Sequence, residues 1–506
     1  MSTFPEPSPA LSPAAEASIR NILEWLAAAH DRSGSDDAEQ LYCQLLRLRD
    51  TPIPISHRIK LLDLLHGHVE RVVKAELPYF QKMSLPVARK MRQRVKQVAD
   101  LLEPLTQDYF NSLAELFDPA GSNSLRSPHN SLLRAMQNIA WQIRISHLVA
   151  APTGVGLWQQ LHAAFRTARR FDLEAFPCPH GGASIQRTYT DIVLAAIAQP
   201  ASFSAIELEF INEYIEGSPL HVELSETPPA GAKAVFWIDL DRDVPAHALI
   251  RRLPAAGSQP LYFACDAIAA EAQRQLGELE HGACAADLNL PAFAETRAGH
   301  GVLRRLTKLW GKPARRRFSR RRQSYRANLC LGLDNLWRLI RQIGSPIPQS
   351  EWMVTNESPE GHTLMHLSGN TSDLRTGDVV ALQAIDEHNG DDAPWRICIV
   401  RWAISENPEH IELGLQLIAP RAIAAEIAQP GASGTSRAAV LILPETPPLR
   451  PFESMLTAPG KVQSAGAPLI LLVEKDNFLI REIHTEHLDE QTSSIELFSV
   501  APDHSI

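Results

Sequence analysis

Residues 315–326 read RRRFSRRRQSYR and form a dense run of cations in a chain of 506 residues. Between Arg304 and Arg326 there are eleven lysines and arginines and no acidic residue, although the whole chain has a formal net charge of -9. Guanidinium groups are planar, permanently charged and able to bind phosphates through two parallel N–H donors. The run is therefore suited to a phosphate-bearing ligand, but on its own it is more typical of a solvated basic linker.

A second polar element lies 30 residues after Arg326, where residues 356–361 read NESPEG. Asn356 offers donors and an acceptor, and Ser358 adds a hydroxyl. Gly361 permits a tight or left-handed turn with a close approach of the ligand. The apolar residues 352–354 that precede this element predict a strand, so the polar side chains should lie at a strand end.

The two elements together resemble the PilZ family, whose signature is R-x-x-x-R before the first strand and D/N-x-S-x-x-G at a later turn. Arg322 and Arg326 match the first part, and Asn356, Ser358 and Gly361 match the second. The resemblance covers residues 313–425. It implies a small β-barrel that binds the bacterial second messenger cyclic di-GMP, with the arginines on phosphate and guanine and with Asn356 and Ser358 on a guanine edge.

The position of the arginine motif is open to two assignments, because Arg317 and Arg321 have the same spacing as Arg322 and Arg326. We prefer the second pair, since strand-like residues follow it immediately. The predicted ligand site therefore comprises residues from both elements, and Arg321 is included because it belongs to the other possible assignment. These residues are Arg321, Arg322, Arg326, Asn356, Ser358 and Gly361. The segment 334–341 between the two elements is predicted to be helical.

The hydrophobic periodicity predicts a multidomain α+β protein, with a mostly α-helical N-terminal region followed by a PilZ-like β-barrel and a small C-terminal β module. We expect six segments: a disordered tail (1–13), a helical domain (14–225), a small α+β extension (226–303), a basic linker with the arginine loop (304–325), the barrel (326–428) and the β module (436–503). The Gly/Pro-rich residues 429–434 are predicted to link the last two.

Other classes of site find little support in the sequence. The six cysteines have no C-x-x-C spacing, which favours reduced thiols in a cytoplasmic protein. No phosphate loop, nucleophile elbow or metal-ligand cluster is recognisable, so we expect neither an enzyme nor a metal or cofactor. No run of about 18 apolar residues predicts a membrane span.

The favoured hypothesis is a cyclic di-GMP receptor that regulates motility, adhesion or biofilm formation through an unidentified protein partner of the helical region. The alternative is an adaptor or structural protein with the PilZ fold but without the ligand. Nucleic-acid binding through residues 304–326 is a weaker alternative, because the segment lacks interleaved aromatic residues.

Overall fold

A computed structural model gives the fold, and the residues that it describes are 11–28, 34–116, 128–176, 182–313, 315, 318–344, 346–371, 374–385, 393–407, 410–431, 434–447, 450–462, 468–474 and 478–502. Most of the predicted tail and Arg317 lie outside these residues. The described helices lie mostly in the N-terminal half, and two closed β-barrels follow them, as the sequence predicted.

The N-terminal region is built from amphipathic helices around one core. In α3, the residues Leu62, Leu65, Val69 and Val73 recur at helical spacing and are buried. The helix α8 begins at a capping box, in which Ser204 accepts from the Glu207 backbone and the Glu207 carboxylate accepts from the Ser204 backbone. The helices are α1 (Pro13–Ala28), α2 (Gly34–Asp50), α3 (Ile55–Phe80), α4 (Arg89–Leu116), α5 (Pro128–Leu148), α6 (Leu157–Arg170), α7 (Ile185–Ile197) and α8 (Ala205–Gly217).

The α+β extension contains an antiparallel three-stranded sheet in the order β2-β1-β3 and two further helices. Its buried residues, such as Phe236 in the sheet and Trp310 in the last helix, belong to the same hydrophobic core as the N-terminal helices. The extension therefore packs as part of the helical region. Its elements are β1 (Val235–Ile238), β2 (His247–Ala248), β3 (Leu261–Ala264), α9 (Asp266–Glu280) and α10 (Arg297–Gly311).

The basic linker expected over 304–325 is partly a helix, because α10 continues to Gly311. Leu303, Leu306 and Trp310 follow one another at helical spacing, and all three are fully buried. Burial of this apolar stripe explains why a segment rich in cations is helical here. Arg304 and Arg305 therefore lie on a helix, whereas Arg321, Arg322 and Arg326 lie on a strand.

The first barrel is closed and antiparallel, with the strand order β4-β5-β6-β9-β8-β7. Alternate residues such as Leu329, Trp352, Leu364 and Leu413 fill its interior. The predicted helix between its first two strands is confirmed as α11. The elements are β4 (Arg321–Leu331), α11 (Leu333–Arg341), β5 (Gln349–Ser358), β6 (Gly361–Gly369), β7 (Val379–Ala384), β8 (Arg396–Asn407) and β9 (His410–Ala419).

The second barrel is also closed, in the order β10-β11-β12-β15-β14-β13. Its first hairpin pairs Gln429 with Ser436 and Gly431 with Gly434, so the linker predicted at 429–434 was wrong. The strands are β10 (Ile423–Gly431), β11 (Gly434–Leu443), β12 (Ser454–Thr457), β13 (Pro468–Glu474), β14 (Phe478–Gln491) and β15 (Glu496–Pro502). The connection between the barrels therefore falls between Ala419 and Ile423, earlier than the sequence indicated.

The inserted helix α11 lies between the two barrels. Its buried Leu333 and Leu336 belong to a hydrophobic cluster shared by β7 and β8 of the first barrel and β11, β12 and β15 of the second. The Trp337 indole donates to the Ala425 carbonyl at 2.8 Å. The insertion therefore fastens the barrels together, and β4 and β5 still pair directly beside it.

The helical region closes one end of the first barrel. Leu85 and Val87, which lie between α3 and α4, join the core of this barrel. The backbone of Ser405, close to the β8–β9 hairpin, donates to the Ala150 carbonyl at 2.8 Å. The β5–β6 turn lies at the opposite end of the barrel.

A buried carboxylate joins the helical region to the second barrel. Glu496 is fully buried and accepts from Arg297 of α10 through both oxygens, at 2.8 and 3.0 Å. The backbone of Gly460 and the amide of Gln491 also donate to it. A carboxylate in this position needs its cation, because an uncompensated buried charge is costly.

We predict that Arg297→Ala lowers the free energy of unfolding by roughly 2–3 kcal/mol, less than the ~3–5 kcal/mol of a fully buried pair, because water reaches Arg297. Urea unfolding measures the change. The matched control is Arg274→Ala, whose partners Glu271 and Glu278 lie on the same exposed helical face. This control should leave the free energy of unfolding almost unchanged, because exposed ion pairs contribute little. Equal losses in the two variants would contradict the role given to Glu496.

Candidate functional site

The arginine motif and the polar turn meet across β4 and β5. In the antiparallel register, Arg322 lies opposite Asn356, Arg321 lies opposite Glu357, and Arg326 lies opposite Met353. Opposite residues of paired strands have their Cβ atoms about 4.5–5.5 Å apart and project from the same face. The two elements that are 30 residues apart in the sequence are therefore neighbours in the barrel.

The register also decides which side chains face outward. Leu413 and Leu415 point into the barrel, so Gly414 between them faces out. Thr363 lies opposite Gly414, Asn356 lies opposite Thr363, and Arg322 lies opposite Asn356. These residues therefore share the outer face. Arg326 and Ser358 join them, since each lies an even number of residues along the same strand from Arg322 or Asn356.

Arg321, which was predicted as an additional residue of the ligand site, lies on the opposite face from Arg322. It pairs with Glu357, which faces the barrel interior together with His362. The structure thus brings Arg322, Arg326, Asn356 and Ser358 together and separates Arg321 from them. Arg317, of the other possible assignment, lies outside the described residues.

Two outward residues of the same row, Gly414 and Trp402, were not predicted from the sequence to belong to the ligand site. Trp402 on β8 lies opposite Gly414, and a Cβ at Gly414 would lie 1.8 Å from the indole Nε1 of Trp402. The glycine therefore makes room for the indole to lie flat on β9. The row from Arg322 to Trp402 crosses five strands, about 19 Å at the usual strand spacing. One end of the row carries a cation and the other an aromatic ring.

Glu357 holds the inward side of the same barrel end together. Its carboxylate accepts from Arg396 at 3.0 Å and from the Tyr325 hydroxyl at 3.4 Å, and it lies 3.7 Å from Nδ1 of His362. Burial raises the pKa of Tyr325 to about 12 and lowers the pKa of His362. Both groups are therefore neutral near pH 7, and Arg396 supplies the charge that balances the carboxylate.

Some motif side chains already have intramolecular partners. Arg326 forms an ion pair with Glu351, although the arginine side chain is 60% exposed. The Ser358 hydroxyl donates to the Gly361 carbonyl at 3.3 Å. Surface ion pairs contribute about 0–1 kcal/mol, so a ligand with a phosphate could displace Glu351 at little cost.

Gly361 serves a different purpose from the one that the sequence suggested. It lies outside the left-handed region of φ, so the turn does not require a glycine for its conformation. Instead, a Cβ at this position would lie 2.0 Å from the Leu415 carbonyl oxygen on β9. Leu417 donates to the Glu360 carbonyl at 2.9 Å in the same place. The glycine thus allows the turn to pack tightly against β9.

The cations of the basic segment do not form one surface. In α10, Arg304 donates to Glu280 at 2.7 Å and to Gln491 at 3.3 Å. Arg305 pairs with the buried Glu207 and lies 4.0 Å above the Phe203 ring. These two arginines are therefore structural, whereas Arg322 and Arg326 lie on β4, on the face described above.

Comparison with known proteins gives the family. A model described as the N-terminal domain of the cyclic-di-GMP receptor FimW matches residues 20–230, and one described as its middle PilZ domain matches residues 342–423. Together they cover more than half of the chain. The chain belongs to the PilZ-domain cyclic-di-GMP receptor family. The matched PilZ range contains the turn at Asn356–Gly361 but begins after β4, so the match does not include the arginine motif.

One curated relative is the "Cyclic-di-GMP receptor FimW" of Pseudomonas aeruginosa. The two sequences are 20% identical, and the alignment covers 80% of this chain and 78% of the relative. No solved structure matches the chain. Within the described residues, no helix is both long and apolar enough to cross a membrane, and no cluster of His, Cys, Asp or Glu is suited to a metal ion.

We predict that Gly361→Ala destabilises the protein by about 1–3 kcal/mol, because the new methyl group must push β9 away from the turn. Thermal or urea unfolding measures the change. Gly277→Ala is the matched control, since nothing lies within 4 Å of the added Cβ and the residue is inside α9. That control should be neutral or stabilising by up to ~1 kcal/mol. A neutral Gly361→Ala would refute the packing role.

Proposed function

We propose that the chain is a cyclic di-GMP receptor and that the nucleotide binds on the outer face of the first barrel, at the end formed by β4, β5 and β6. Arg322 and Arg326 contact the phosphates or a guanine, and Asn356 and Ser358 contact a guanine edge. The single observation that carries the proposal is the register that sets Arg322 opposite Asn356.

The chemistry of this face suits such a ligand. Arginine binds phosphate bidentately and pairs with the O6/N7 edge of guanine, while asparagine and serine supply both donors and acceptors. Trp402 extends the face with an aromatic ring on which a base can stack, in the way that aromatic side chains receive unpaired bases. We therefore include Trp402 in the proposed site.

The regulatory output is proposed to be a change in protein–protein contacts of the helical region, with effects on motility, adhesion or biofilm formation. Its support is the packing of Leu85 and Val87 into the core of the first barrel. A ligand shifts a conformational equilibrium only through differential contacts with the two states. When the nucleotide binds the arginines of β4, it should make the first barrel more rigid. The opposite end of the barrel, which packs against the helical region, would then present a different surface to that region.

A second candidate function is that of a ligand-free adaptor with the PilZ fold. It is favoured by the ion pair between Arg326 and Glu351 and by the hydrogen bond of Ser358 to Gly361, which satisfy motif residues internally. The two candidates differ in nucleotide affinity and can be separated by titration.

We expect calorimetric titration of the full chain with cyclic di-GMP to show saturable binding that GTP does not displace. Arg322→Ala should weaken binding about 10- to 100-fold, because a charge-assisted hydrogen bond contributes roughly 1.5–3 kcal/mol. Ser358→Ala should weaken it several-fold. Arg437→Ala, an exposed arginine on β11 of the second barrel, is the matched control and should bind like the wild type. Absence of binding at tens of micromolar would favour the adaptor.

Glu351→Gln should tighten the binding of cyclic di-GMP by about two- to fivefold, since it removes a surface ion pair that holds Arg326 in the absence of ligand. The same titration measures the effect. The control is Glu426→Gln, which removes an ion-pair partner of Arg341, the last residue of α11. It should leave the affinity for cyclic di-GMP unchanged. Weaker binding by Glu351→Gln would mean that Glu351 itself contacts the ligand.

A further inference from the structure

A cleft of about 490 Å³ lies between the two barrels, behind the β5–β6 turn. The first barrel contributes Glu360, Arg401 and the end of β9, and the second contributes Arg450, Phe452 and one side of β14. None of the residues assigned to the proposed nucleotide face lines this cleft. A ligand in this cleft would therefore bind at a site distinct from the proposed cyclic di-GMP site.

The wall of the cleft contains a buried arginine whose donors are largely unused. Arg450 is only 8% exposed, and its Nη2 donates to the Ile418 carbonyl at 2.8 Å and to the Pro444 carbonyl at 3.4 Å. Its Nε and Nη1 have no acceptor in the part of the chain that the structure describes. A guanidinium carries one N–H on Nε and two on Nη1, so most of its donors lack an acceptor.

The acidic groups of the cleft do not neutralise Arg450. Glu490 is engaged with Arg401 at 2.9 and 3.1 Å, and Asp489 accepts a hydrogen bond from Ser499. Asp489 acts on Arg450 only as a nearby charge, while burial lowers the pKa of the arginine. A buried charge without a hydrogen-bonded counterion is costly, and an apolar side chain of similar volume is often as stable or more so.

We propose that this cleft is a binding site for an organic monoanion, whose oxyanion is held by Arg450 and whose apolar part packs on Phe452. Such an anion supplies the missing acceptors of Nε and Nη1 after a small movement of the guanidinium toward the cleft. Phe452 is 56% exposed at the rim and offers an apolar surface. Glu490 is paired with Arg401, but Glu360, Glu486 and Asp489 add negative charge to the lining, so the site favours an anion with a single charge over a doubly charged phosphate.

The oxyanion can be a carboxylate or a phosphate ester, and probes of similar shape distinguish them. Benzoate is a monoanion, phenyl phosphate is mostly a dianion above pH 7, and benzamide is neutral. We expect benzoate to produce a saturable rise in the melting temperature of the full chain, because a ligand that binds only the folded state stabilises it. Phenyl phosphate should bind more weakly, and benzamide should have no effect.

Arg450→Met separates the binding role from a structural one. It removes a buried charge but also the hydrogen bonds to the Ile418 and Pro444 carbonyls, so the melting temperature of the unliganded protein should change little, and benzoate binding should weaken at least about tenfold. Phe452→Ser should weaken the binding of benzoate without affecting the fold. Arg437→Met is the control for the loss of a surface cation and should bind benzoate like the wild type. Cyclic di-GMP titrations of the same variants should match the wild type, so failure at one site is distinguishable from failure at the other.

The proposal is overturned if benzoate binds Arg450→Met as it binds the wild type, or if benzoate and phenyl phosphate both leave the wild type unchanged at millimolar concentration. It is also overturned if Arg450→Met lowers the melting temperature and the benzoate effect persists, since Arg450 would then be a structural residue. Stronger binding of phenyl phosphate than of benzoate would overturn the preference for a single charge.

Discussion

The pairing of β4 with β5 is the constraint on which the candidate site depends. Because side chains alternate along a strand, a slip of one residue would move Arg322 to the face that Arg321 now occupies. The register is held by the apolar partners farther along the strands, where Ala327 lies opposite Trp352 and both are fully buried. The core of the barrel therefore determines which arginines can meet Asn356 and Ser358.

The rest of the molecule is arranged around the same barrel. The helical region closes the end that carries the β8–β9 hairpin, and α11 fills the space between the barrels. Arg401 on β8 bridges Gln416 on β9 and Glu490 of the second barrel, and Thr492 donates to the Gly377 carbonyl at 2.9 Å. A structural change in the first barrel would therefore alter its polar contacts with the second barrel and its apolar contacts with the helical region.

Much of the fold followed from periodicity, and the exceptions have physical causes. The spacing of Leu303, Leu306 and Trp310 is helical, yet the density of positive charge in that segment favoured a linker. Likewise, glycine and proline at 429–434 are typical of a linker, but they also suit the tight hairpin that starts the second barrel. In both segments, local composition was a poorer guide than tertiary packing.

The candidate site was predictable in its composition but not in its geometry. The spacing of the motifs identified Arg322, Arg326, Asn356 and Ser358, whereas the facing of each side chain depends on register shifts in β5 that no composition reveals. Trp402 was not assigned to the site from the sequence, because it reaches this face through Gly414, on a strand that is far from the arginine motif in sequence. The sequence suggested that Gly361 is needed for the conformation of the turn. In the structure, a glycine is needed because a Cβ at this position would collide with the Leu415 carbonyl.

We propose that the arginine motif and the polar turn form one binding face for cyclic di-GMP. A double-mutant cycle on Arg322→Ala and Asn356→Ala, with cyclic di-GMP affinity measured for all four proteins, shows whether the two side chains act on the same ligand. If both side chains hold the same nucleotide, their effects should be non-additive by about 0.5 kcal/mol or more. Additive losses, or an Asn356→Ala variant that binds like the wild type while Arg322→Ala does not, would contradict a shared face.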